Sequence, residues 1–587
     1  MIELTNEQQL FIDTALKGKN ILVEACIGSG KTTSIQHLCN QLPKNKKILY
    51  LTYNRLLKVD AKSKIKNRNV FVTNYHGFAY RWLMANSINV GRSDIIQTFL
   101  SEKPKFDKYD ILIMDEYQDI DEEISNMLKI IKESNPNMQL IAVGDMEQKI
   151  YDKTRLDVKT FINSFLGDYI ILEFSICFRL NKELADKLGF VWKKKITGVN
   201  DDCNIKFMNF KEVVNFLANC DNKDILCLGA RTGDATKVLN TLEEKYPEKF
   251  NKNTVYASIR DNDNIKSVDP NKDSAIFTTY DSSKGLEYPT CVLFDFDIDY
   301  WYTRLSFPNQ KYEILRNIFC VAASRGKKNI IFVKGENMLL NEKILASSDH
   351  DRNEKELRVN ISEMFDFKYK ESVEDCYKLL TIKKIENEDS EIIDVESTDG
   401  LIDLSPCIGI YQEAFYFKHY NIDKDITLYV ALHDLPDFHL KNSKKLDVEG
   451  KVLYLVSLET RHNRYRNQVV RPFILEEEKN KIFDRLSKKF TKNEDVQHHC
   501  EINFSDYTKY KFRAEGFVDV LKNDVVYELK FVSELTHEHF LQCACYVVGL
   551  GLKKGILWNT RDNSMYEISV RGPKKFLNAV AKTVLKL

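Results

Sequence analysis

Residues 21–41 read ILVEACIGSGKTTSIQHLCNQ, and this stretch decides the fold of the first part of the chain. The apolar run over residues 21–25 predicts a buried strand, and the apolar spacing that follows Lys31 predicts a helix. Between them, Gly28 and Gly30 allow backbone N–H groups to curl around an anion, which the amides of a helix N-terminus also attract. This order of strand, glycine-rich turn and helix predicts a phosphate-binding P-loop; a chance glycine-rich turn is the alternative.

In a P-loop, a lysine reaches the β- and γ-phosphates of ATP, and the hydroxyl of the next residue holds Mg²⁺. Lys31 and Thr32 stand at these two positions. The other residues of this stretch that we expect to contact the nucleotide are Ala25, Gly28, Ser29, Gly30 and Thr33.

Further buried-strand patterns lie outward from the P-loop, each followed by polar or amphipathic sequence. They include KILYLTY (47–53), ILIMDEY (111–117), LIAVGD (140–145), DILCLGA (224–230), TVYAS (254–258), AIFTTY (275–280), CVLFDFD (291–297) and NIIFVKG (329–335). Such alternation predicts parallel α/β sheets. From these patterns and a charged stretch before residue 400, we predict α/β lobes over 1–160 and 161–335, a helical spacer and linker over 336–400, and a third domain over 401–587.

Two adjacent carboxylates follow one of these strands. The apolar run 111–114 leads directly into Asp115 and Glu116. This arrangement suits metal-assisted phosphoryl chemistry, in which Asp115 would bind Mg²⁺ through water and Glu116 would polarise the attacking water. An acidic turn without a catalytic role is the alternative.

Composition limits the class of protein. The chain has 587 residues, 43% hydrophobic and 29% charged, which is typical of a soluble protein with several structural units. Lys+Arg and Asp+Glu both number 86, so any nucleic-acid site must be a local groove. We expect no signal peptide and no membrane partner. Thirteen dispersed cysteines indicate reduced thiols and a cytoplasmic location: a nucleoid, a viral replication site or, in a eukaryote, the nucleus.

The order of several motifs resembles that of superfamily 1 helicases of the UvrD/Rep type. Asp-Glu-Tyr-Gln-Asp at 115–119 resembles their Walker B box. The other boxes, in family order, are Gln8 (Q-motif), Thr52-Tyr53-Asn54 (Ia), residues 73–78 (Ib), residues 143–148 (III), Cys177-Phe178-Arg179 (IV), residues 279–288 (V) and residues 321–326 (VI). Asp281 departs from the histidine that many members have in box V, and Lys153 stands where an aromatic residue is expected.

The resemblance implies a role for each matching side chain. For the nucleotide, Gln8 would read adenine, Gln148 would sense the γ-phosphate, Arg179 and Arg325 would neutralise its charge, and Phe178 and Glu287 would line the site. For the strand, the candidates are Tyr53, Asn54, Tyr75 and His76, whose rings can stack on bases. Packing inside the first lobe is the alternative for Tyr75.

A second candidate site lies near the end of the chain. Residues 516–520 and 525–530 alternate apolar and polar positions around a Lys-Asn-Asp turn, which predicts a β-hairpin. Asp519, Glu528 and Lys530 would converge on this hairpin. The two carboxylates could bind Mg²⁺ or Mn²⁺ for phosphodiester hydrolysis, with the ammonium of Lys530 beside them. A surface cross-strand ion pair is the alternative.

The segment after the hairpin strengthens the nuclease interpretation. Gln542 and Tyr546 stand one helical turn apart, and with the hairpin they resemble the PD-(D/E)XK nucleases of the RecB-like group. Glu501 is a candidate additional metal ligand. Some nucleases of this group hold an iron–sulfur cluster with four cysteines, most of which lie beyond this helix. No cysteine follows Cys545 here, so we expect no such cluster. The histidines lack a spaced second pair of ligands, so we expect no zinc.

Together these patterns predict an α/β protein with two RecA-like P-loop NTPase lobes, reduced insertions and a C-terminal PD-(D/E)XK nuclease-like domain. The implied function is an ATP-dependent DNA helicase or single-strand translocase, moving 3′ to 5′ by resemblance, coupled to a nuclease. Expected partners are single-stranded DNA, DNA ends and a protein of a repair or replication complex. Two alternatives remain: a helicase whose last domain only binds DNA, and an ATP-dependent regulatory switch.

Overall fold

The computed structural model describes residues 3–52, 61–88, 95–257, 272–349, 356–387, 390–393, 395 and 401–587. The chain divides into two compact units. The first unit comprises residues 1–205, 311–330 and 341–349, and the second comprises residues 206–310, 331–340 and 350–587. All thirteen cysteines are free thiols. In the described part of the chain, no helix is long and apolar enough to cross a membrane.

The first 203 residues form an α/β layer. Its strands are β1 (Ile21–Ala25), β2 (Ile48–Thr52), β3 (Val70–Asn74), β4 (Ile111–Asp115), β5 (Gln139–Gly144), β6 (Ile170–Phe174), β7 (Ile176–Cys177) and β8 (Thr197–Gly198). Its helices are α1 (Asn6–Leu16), α2 (Lys31–Gln41), α3 (Tyr75–Ala85), α4 (Ile95–Glu102), α5 (Glu122–Ser134), α6 (Val158–Leu166) and α7 (Lys182–Trp192). The main sheet has the order β3-β2-β4-β5-β1-β6, and its strand pairs are parallel.

Both faces of this sheet are buried, as the continuous apolar runs predict. Successive residues of a strand point to opposite faces, so Ile113 packs in one core cluster while Leu112 and Met114 pack in another. The sheet therefore fixes its strand ends rigidly. Each of the strands predicted near 21–25, 47–53, 111–117 and 140–145 is present, as β1, β2, β4 and β5 with the bounds given above.

The middle of the chain forms a second α/β layer. Its strands are β9 (Asn204–Met208), β10 (Ile225–Gly229), β11 (Val255–Ala257), β12 (Ala275–Thr279), β13 (Tyr288–Leu293) and β14 (Gly326–Val333). Its helices are α8 (Phe210–Ala218), α9 (Asp234–Lys245), α10 (Ile298–Leu305), α11 (Tyr312–Ala322) and α12 (Glu342–Ala346). The sheet order is β11-β12-β10-β13-β14-β9, with β11, β12, β10 and β13 mutually parallel. All five strands predicted between 224 and 335 are confirmed.

The last part of the chain contains a mixed sheet and many helices. Its strands are β15 (Leu357–Asn360), β16 (Leu380–Ile385), β17 (Asp495–Asn503), β18 (Phe512–Lys522), β19 (Val525–Lys530), β20 (Gly555–Asn559) and β21 (Ser564–Val570). Its helices are α13 (Lys370–Tyr377), α14 (Ser405–Tyr416), α15 (Ile422–Leu432), α16 (Phe438–Ser443), α17 (Val448–Thr460), α18 (Arg464–Asn467), α19 (Glu476–Lys489), α20 (His537–Gly549) and α21 (Pro573–Val584). The sheet order is β15-β18-β19-β20-β21-β16, and β17 also pairs with β18.

The structure differs from the sequence prediction over residues 336–400. This segment was expected to be a helical spacer and linker, yet β15 and β16 lie in it and pair with β18 and β21 of the last sheet. Both strands lie at sheet edges, where charged side chains are tolerated because one face and one edge meet solvent. The charged residues of β15 and β16 therefore gave this segment the composition of a linker. Each predicted boundary, at 160 and at 335, also falls inside one of the compact units: residue 160 in the first and residue 335 in the second.

Within the second unit, the segment around α18 packs on α9. Arg464 and Glu243 form an ion pair in which both side chains are buried, at 1% and 7% exposure. Asn240 adds two hydrogen bonds, donating to the carbonyl of Arg461 at 2.8 Å and accepting from the amide of Asn463 at 3.0 Å. The second α/β layer and the last domain are therefore held together by specific polar contacts.

Glu243→Gln should destabilise the second unit, because it leaves the Arg464 guanidinium buried without a counter-charge. Breaking one partner of a buried pair costs roughly 3–5 kcal/mol. We expect the unfolding transition of this unit, followed by thermal denaturation, to fall by several degrees. Lys237→Met breaks the exposed Lys237–Asp234 pair on the same helix and serves as the control, with an expected cost below about 1 kcal/mol. Equal shifts in the two variants would contradict the role assigned to Arg464.

Candidate nucleotide site and a second acidic cluster

The loop between β1 and α2 has the backbone that a P-loop needs. Gly28 and Gly30 adopt φ values of 66° and 77°, in the left-handed region that side chains disfavour. Gly30 stands directly before α2, which begins at Lys31, so the first amides of the helix face the loop. The loop therefore offers backbone donors and a helix N-terminus to an anion, as the sequence predicts. Thr32 and Thr33 follow in the first turn of α2 and are half-buried.

The Cys-Phe-Arg box packs directly against this loop. The amide of Phe178 donates to the carbonyl of Gly28 at 2.9 Å. A Cβ atom on Gly28 would lie only 2.8 Å from Cβ of Arg179, so a side chain at residue 28 would push the box away. The ring of Phe178 remains 46% exposed, and it lies 3.8 Å from where a Cβ on Gly30 would be. The ring is thus available beside the loop for stacking on a flat ligand.

The Q-motif glutamine also contacts the loop. Gln8 lies in the first turn of α1, where it forms a capping box with Thr5. Its side-chain Nε2 donates to the carbonyl of Ser29 at 3.0 Å. The cap fixes the start of α1, and through it the amide of Gln8 beside the P-loop.

Two carboxylates at the end of β4 face the P-loop lysine. Lys31 Nζ lies 4.0 Å from Glu116 Oε1. Asp115 is fully buried, and its Oδ2 accepts from the Tyr50 hydroxyl at 2.9 Å. Burial, and then the charge of Glu116, raise the pKa of Asp115 to about 7, against the opposing effects of Tyr50 and Lys31.

These residues fit a divalent cation with its nucleotide. The other oxygen of Asp115, Oδ1, is buried and has no hydrogen-bond partner among the residues that the structure describes. A buried carboxylate oxygen without a partner is costly unless a cation or water satisfies it. Together with the hydroxyl of Thr32, it provides the oxygen ligands that Mg²⁺ prefers.

The predicted γ-phosphate sensor is held by a buried aspartate. Gln148 Nε2 donates to Asp145 Oδ2 at 2.8 Å, and the amide of Asp145 donates to Gln118 Oε1 at 3.0 Å. Gln118 in turn contacts Glu116. A chain of side-chain contacts therefore connects the carboxylates after β4 with the sensor loop after β5.

The two arginines predicted to neutralise phosphate lie close together in the first unit. Arg179 Nη1 donates to the carbonyl of Ser324 at 3.4 Å, and Arg325 Nε donates to the carbonyl of Val321 at 2.8 Å. Burial and the charge of Arg325 lower the pKa of Arg179 to about 9. The guanidinium groups of half-buried Arg179 and buried Arg325 repel each other, which favours the binding of an anion beside them.

Box V lies in the second unit, so the contact of its Glu287 with the nucleotide stays a prediction. Glu287 is exposed in the loop before β13 of the second unit. Asp281, the departure in box V, forms a two-pronged ion pair with Arg304, with both N···O distances at 3.0 Å. The aspartate therefore has a partner within its own unit.

The predicted strand-binding residues have different outcomes. Tyr75 is 2% exposed and packs in the core with Phe78 and Leu83, which favours the packing alternative over base stacking. His76 is exposed at the start of α3, and its strand contact stays a prediction. Tyr53 and Asn54 lie outside the described residues.

The C-terminal hairpin forms as predicted and gathers its charged residues. β18 and β19 pair antiparallel, and the turn residues Asn523 and Asp524 have φ values of 50° and 58°. Asp519 Oδ2 accepts from the amide of Leu529 at 2.7 Å, so it lies against β19. Glu528 Oε1 lies 3.0 Å from Lys530 Nζ.

The predicted support from α20 is also present. Gln542 Nε2 donates to Glu528 Oε1 at 2.7 Å. Tyr546, one turn further on, packs on Gly516 of β18, where a Cβ atom would lie 2.7 Å from its hydroxyl. The helix thus orients one carboxylate and closes over the strand that carries the other.

Sequence reasoning missed a third carboxylate in this cluster. Glu413 of α14 is buried and accepts from Gln497 Nε2 at 2.6 Å. Burial, and then the charges of Asp519 and Glu528, raise its pKa well above the ordinary range. Its helix lies about 100 residues before the hairpin in sequence. The only sign in the sequence was that Glu413 is an acidic residue on the apolar face of a helix. Glu501 is instead exposed on β17 and pairs with Arg513 at 2.9 Å, so the structure does not bring it to the cluster.

The fit of a divalent cation here is partial. Glu528 Oε2 is buried and lacks a hydrogen-bond partner within the described part of the chain, as expected of a potential ligand. However, no group of three or more His, Cys, Asp or Glu side chains in the described residues is arranged to hold a metal ion. Asp519 and Glu528 therefore offer a two-carboxylate site with Lys530 beside it.

Comparison with protein families gives a match at the start of the chain. Residues 8–154 match a family described as an AAA domain. No curated protein matches the chain.

Similar solved structures include two helicases and a yeast protein solved with RNA. An arterivirus nonstructural protein 10 helicase matches with 12% identity and a TM-score of 0.29, over 55% of this chain and 62% of its own. Dbp5 of S. cerevisiae, solved with RNA and ADP BeF3, matches with 12% identity and a TM-score of 0.34, over 58% and 86%. A Pif1 helicase, from a study of unwinding at forked DNA, matches with 11% identity and a TM-score of 0.31, over 59% and 95%. The chain spans less than two thirds of the arterivirus protein, and scores this low assign no activity.

Gly28→Ala should abolish nucleotide binding, because the new methyl group collides with Arg179 and displaces the box that packs on the P-loop. We expect the affinity for a fluorescent ATP analogue to fall at least about 100-fold. The loop could then no longer pack closely on the box, and its amides would lose their contacts with phosphate. Gly18→Ala is the matched control: Gly18 has a similar φ of 75°, but nothing lies within 4 Å of its Cβ position. Loss of affinity in both variants would show that backbone strain, and not the collision, is responsible.

Proposed function

We propose that this protein is an ATP-driven helicase or single-strand DNA translocase that carries a metal-dependent DNA nuclease in its last domain. The observation that carries the first half is the contact of Gln8, Phe178 and Arg179 with a P-loop whose lysine faces two carboxylates. The AAA-domain match over residues 8–154 supports it. The parallel sheets fit RecA-like lobes.

In the ATP site, each residue has a separate task. Lys31 and the loop amides bind the phosphates, and Phe178 stacks beside the base. Thr32 and Asp115 would hold Mg²⁺, which neutralises phosphate charge when bound. Glu116 accepts a proton from the attacking water, while Arg179 and Arg325 stabilise the charge of the transferred group. Such a site hydrolyses ATP only when the arginines and the P-loop lysine act together.

In the motor, hydrolysis would be linked to movement along a strand. By resemblance to the UvrD/Rep type, this movement is 3′ to 5′ on single-stranded DNA. Short stretches between the boxes leave little room for inserted domains that grip a duplex. Translocation is therefore the primary activity, and strand separation depends on the substrate.

In the last domain, Asp519 and Glu528 would hold Mg²⁺ or Mn²⁺, which supplies the charge that a phosphodiester needs for hydrolysis. Lys530 stabilises the developing negative charge, and Gln542 fixes Glu528 in place. Glu413 completes the acidic lining. Single-stranded DNA and DNA ends are the partners that suit a translocase joined to a nuclease. Such a protein would act in a complex for repair, recombination, replication or defence. Its location would be the cytoplasm, as a nucleoid or viral replication site, or the nucleus of a eukaryote.

One observation favours a second candidate function for the last domain. Glu528 is already paired with Lys530, and the described residues form no ready group of three metal ligands. A domain that binds DNA without cutting it would have this arrangement. The nuclease assay below separates the two.

ATP hydrolysis should depend on Lys31 and rise with single-stranded DNA. We expect Lys31→Ala to lower the turnover at least about 100-fold, because the phosphate charge loses its main partner. Lys44→Ala, an exposed lysine after α2, is the control. ATPase rates are measured with DNA and RNA oligomers of equal length. Hydrolysis by the wild-type protein that neither polymer stimulates would instead favour a regulatory switch.

Nuclease activity should depend on Lys530 and not on the motor. We expect Lys530→Met to lower cleavage of single-stranded DNA with Mg²⁺ or Mn²⁺ about 100-fold or more, and to leave the ATPase unchanged. Glu413→Gln should show whether the third carboxylate contributes, and the exposed Lys553→Met is the control. A wild-type protein that binds DNA but never cuts it would establish the DNA-binding alternative.

A further inference from the structure

Lys194 is a half-buried cation beside the nucleotide site that none of the sequence boxes contains. It follows α7, and its side chain is 21% exposed. Its Nζ has three recorded partners in the first unit: the carbonyl of Ala25 at 3.1 Å, Asp145 Oδ1 at 3.3 Å and Glu147 Oε2 at 3.2 Å. One ammonium group therefore uses all three of its donors.

Each of these partners belongs to the nucleotide machinery. Ala25 is the last residue of β1 before the P-loop. Asp145 uses its other oxygen to hold the sensor Gln148, at 2.8 Å. Lys194 thus joins the start of the P-loop to the carboxylate that positions the sensor.

The charges around Lys194 make this link strong. Burial alone would raise the pKa of Asp145, but the charge of Lys194 and several hydrogen bonds outweigh burial and lower it. Burial and the neighbouring Asp145 raise the pKa of Glu147 to about 7. The pKa of Lys194 itself is raised, because the two carboxylates outweigh its burial. Without this cation, the buried Asp145 and the half-buried Glu147 would repel each other across the sensor loop.

The backbone of Lys194 is hydrogen-bonded within the segment that carries the Cys-Phe-Arg box, Cys177 to Arg179. We call this box the arginine box. Its amide donates to the carbonyl of Gly189 at 3.0 Å, and the amide of Thr197 donates to the carbonyl of Ser175 at 2.8 Å. β8 then pairs with β7, whose last residue is Cys177 of the box. Movement of this segment is therefore transmitted to both the P-loop and the sensor.

We propose that Lys194 is a positioning residue for ATP hydrolysis, which holds the P-loop, the sensor loop and the arginine-box segment in one fixed arrangement. This inference rests on the proposed ATPase function. Lys194 has no proposed contact with the nucleotide, so its effect is on the geometry in which Gln148 acts. A positioning role predicts that its loss impairs turnover more than nucleotide binding.

The first test is a kinetic comparison of variants. We expect Lys194→Met to lower kcat for ATP at least about tenfold while KM changes less than about threefold, since the binding contacts of the P-loop remain. Lys194→Gln, which keeps a polar end group, is a second variant in case the first does not fold. Lys195→Met changes the exposed neighbouring lysine and should match the wild type.

A double-mutant cycle then tests whether Lys194 acts through the sensor. If it does, Lys194→Met should have little further effect on kcat in a Gln148→Ala background. Effects that multiply independently, or equal losses in kcat and in nucleotide affinity, would overturn the inference.

A second readout needs no activity. Cys26 adjoins Ala25 and is fully buried, so its alkylation reports opening of the P-loop. In nucleotide-free protein, we expect peptide-resolved alkylation of Cys26 to rise severalfold in Lys194→Met, while buried Cys39 of α2 stays protected. Unchanged Cys26 reactivity would overturn the link to the P-loop. A wild-type protein without ATPase activity would overturn the proposed function, and the Cys26 measurement would still decide whether Lys194 holds the loop.

Discussion

The close approach between Gly28 and Arg179 is the constraint on which the nucleotide site depends. A backbone without a side chain, in the left-handed region, lets the P-loop lie against the arginine box with an amide-to-carbonyl bond from Phe178. The exposed ring of Phe178 and the half-buried side chain of Arg179 therefore lie directly beside the loop. The proposed phosphate-transfer chemistry depends on this proximity, because each group would be ineffective a few ångströms away.

The same physical requirement, compensation of buried charge, organises both candidate sites. Asp115 is buried against Tyr50 and Lys31, while Glu528 is buried against Gln542 and Lys530. In each case one carboxylate oxygen is satisfied and the other is not, which is costly in a folded core unless a ligand arrives. The unsatisfied oxygens of Asp115 and Glu528 therefore lower the stability of the folded protein at two strand ends, as is common at functional sites.

The sequence predicted most of what is local and little of what depends on distant chain segments. Strands with continuous apolar runs, the P-loop and the C-terminal hairpin were predictable, because burial on both faces and turn chemistry leave direct patterns. Glu413 lies on a helix and Lys194 just after one, and both were missed because their partners are far away in sequence. β15 and β16 were misread as linker, because edge strands carry the charge of a loop.

Proton release would accompany the binding of a cation at either candidate site. The pKa of Asp115 is raised to about 7, and burial also raises the pKa values of Asp519 and Glu413 well above the ordinary range. A divalent cation must therefore displace protons as it binds, so its affinity falls as the pH drops through the range of each raised pKa. Without a cation, these carboxyl groups carry less than their full charge, which limits their mutual repulsion in the folded protein. Raised pKa values thus let an acidic site persist in the core until a cation with its phosphate ligand replaces the protons.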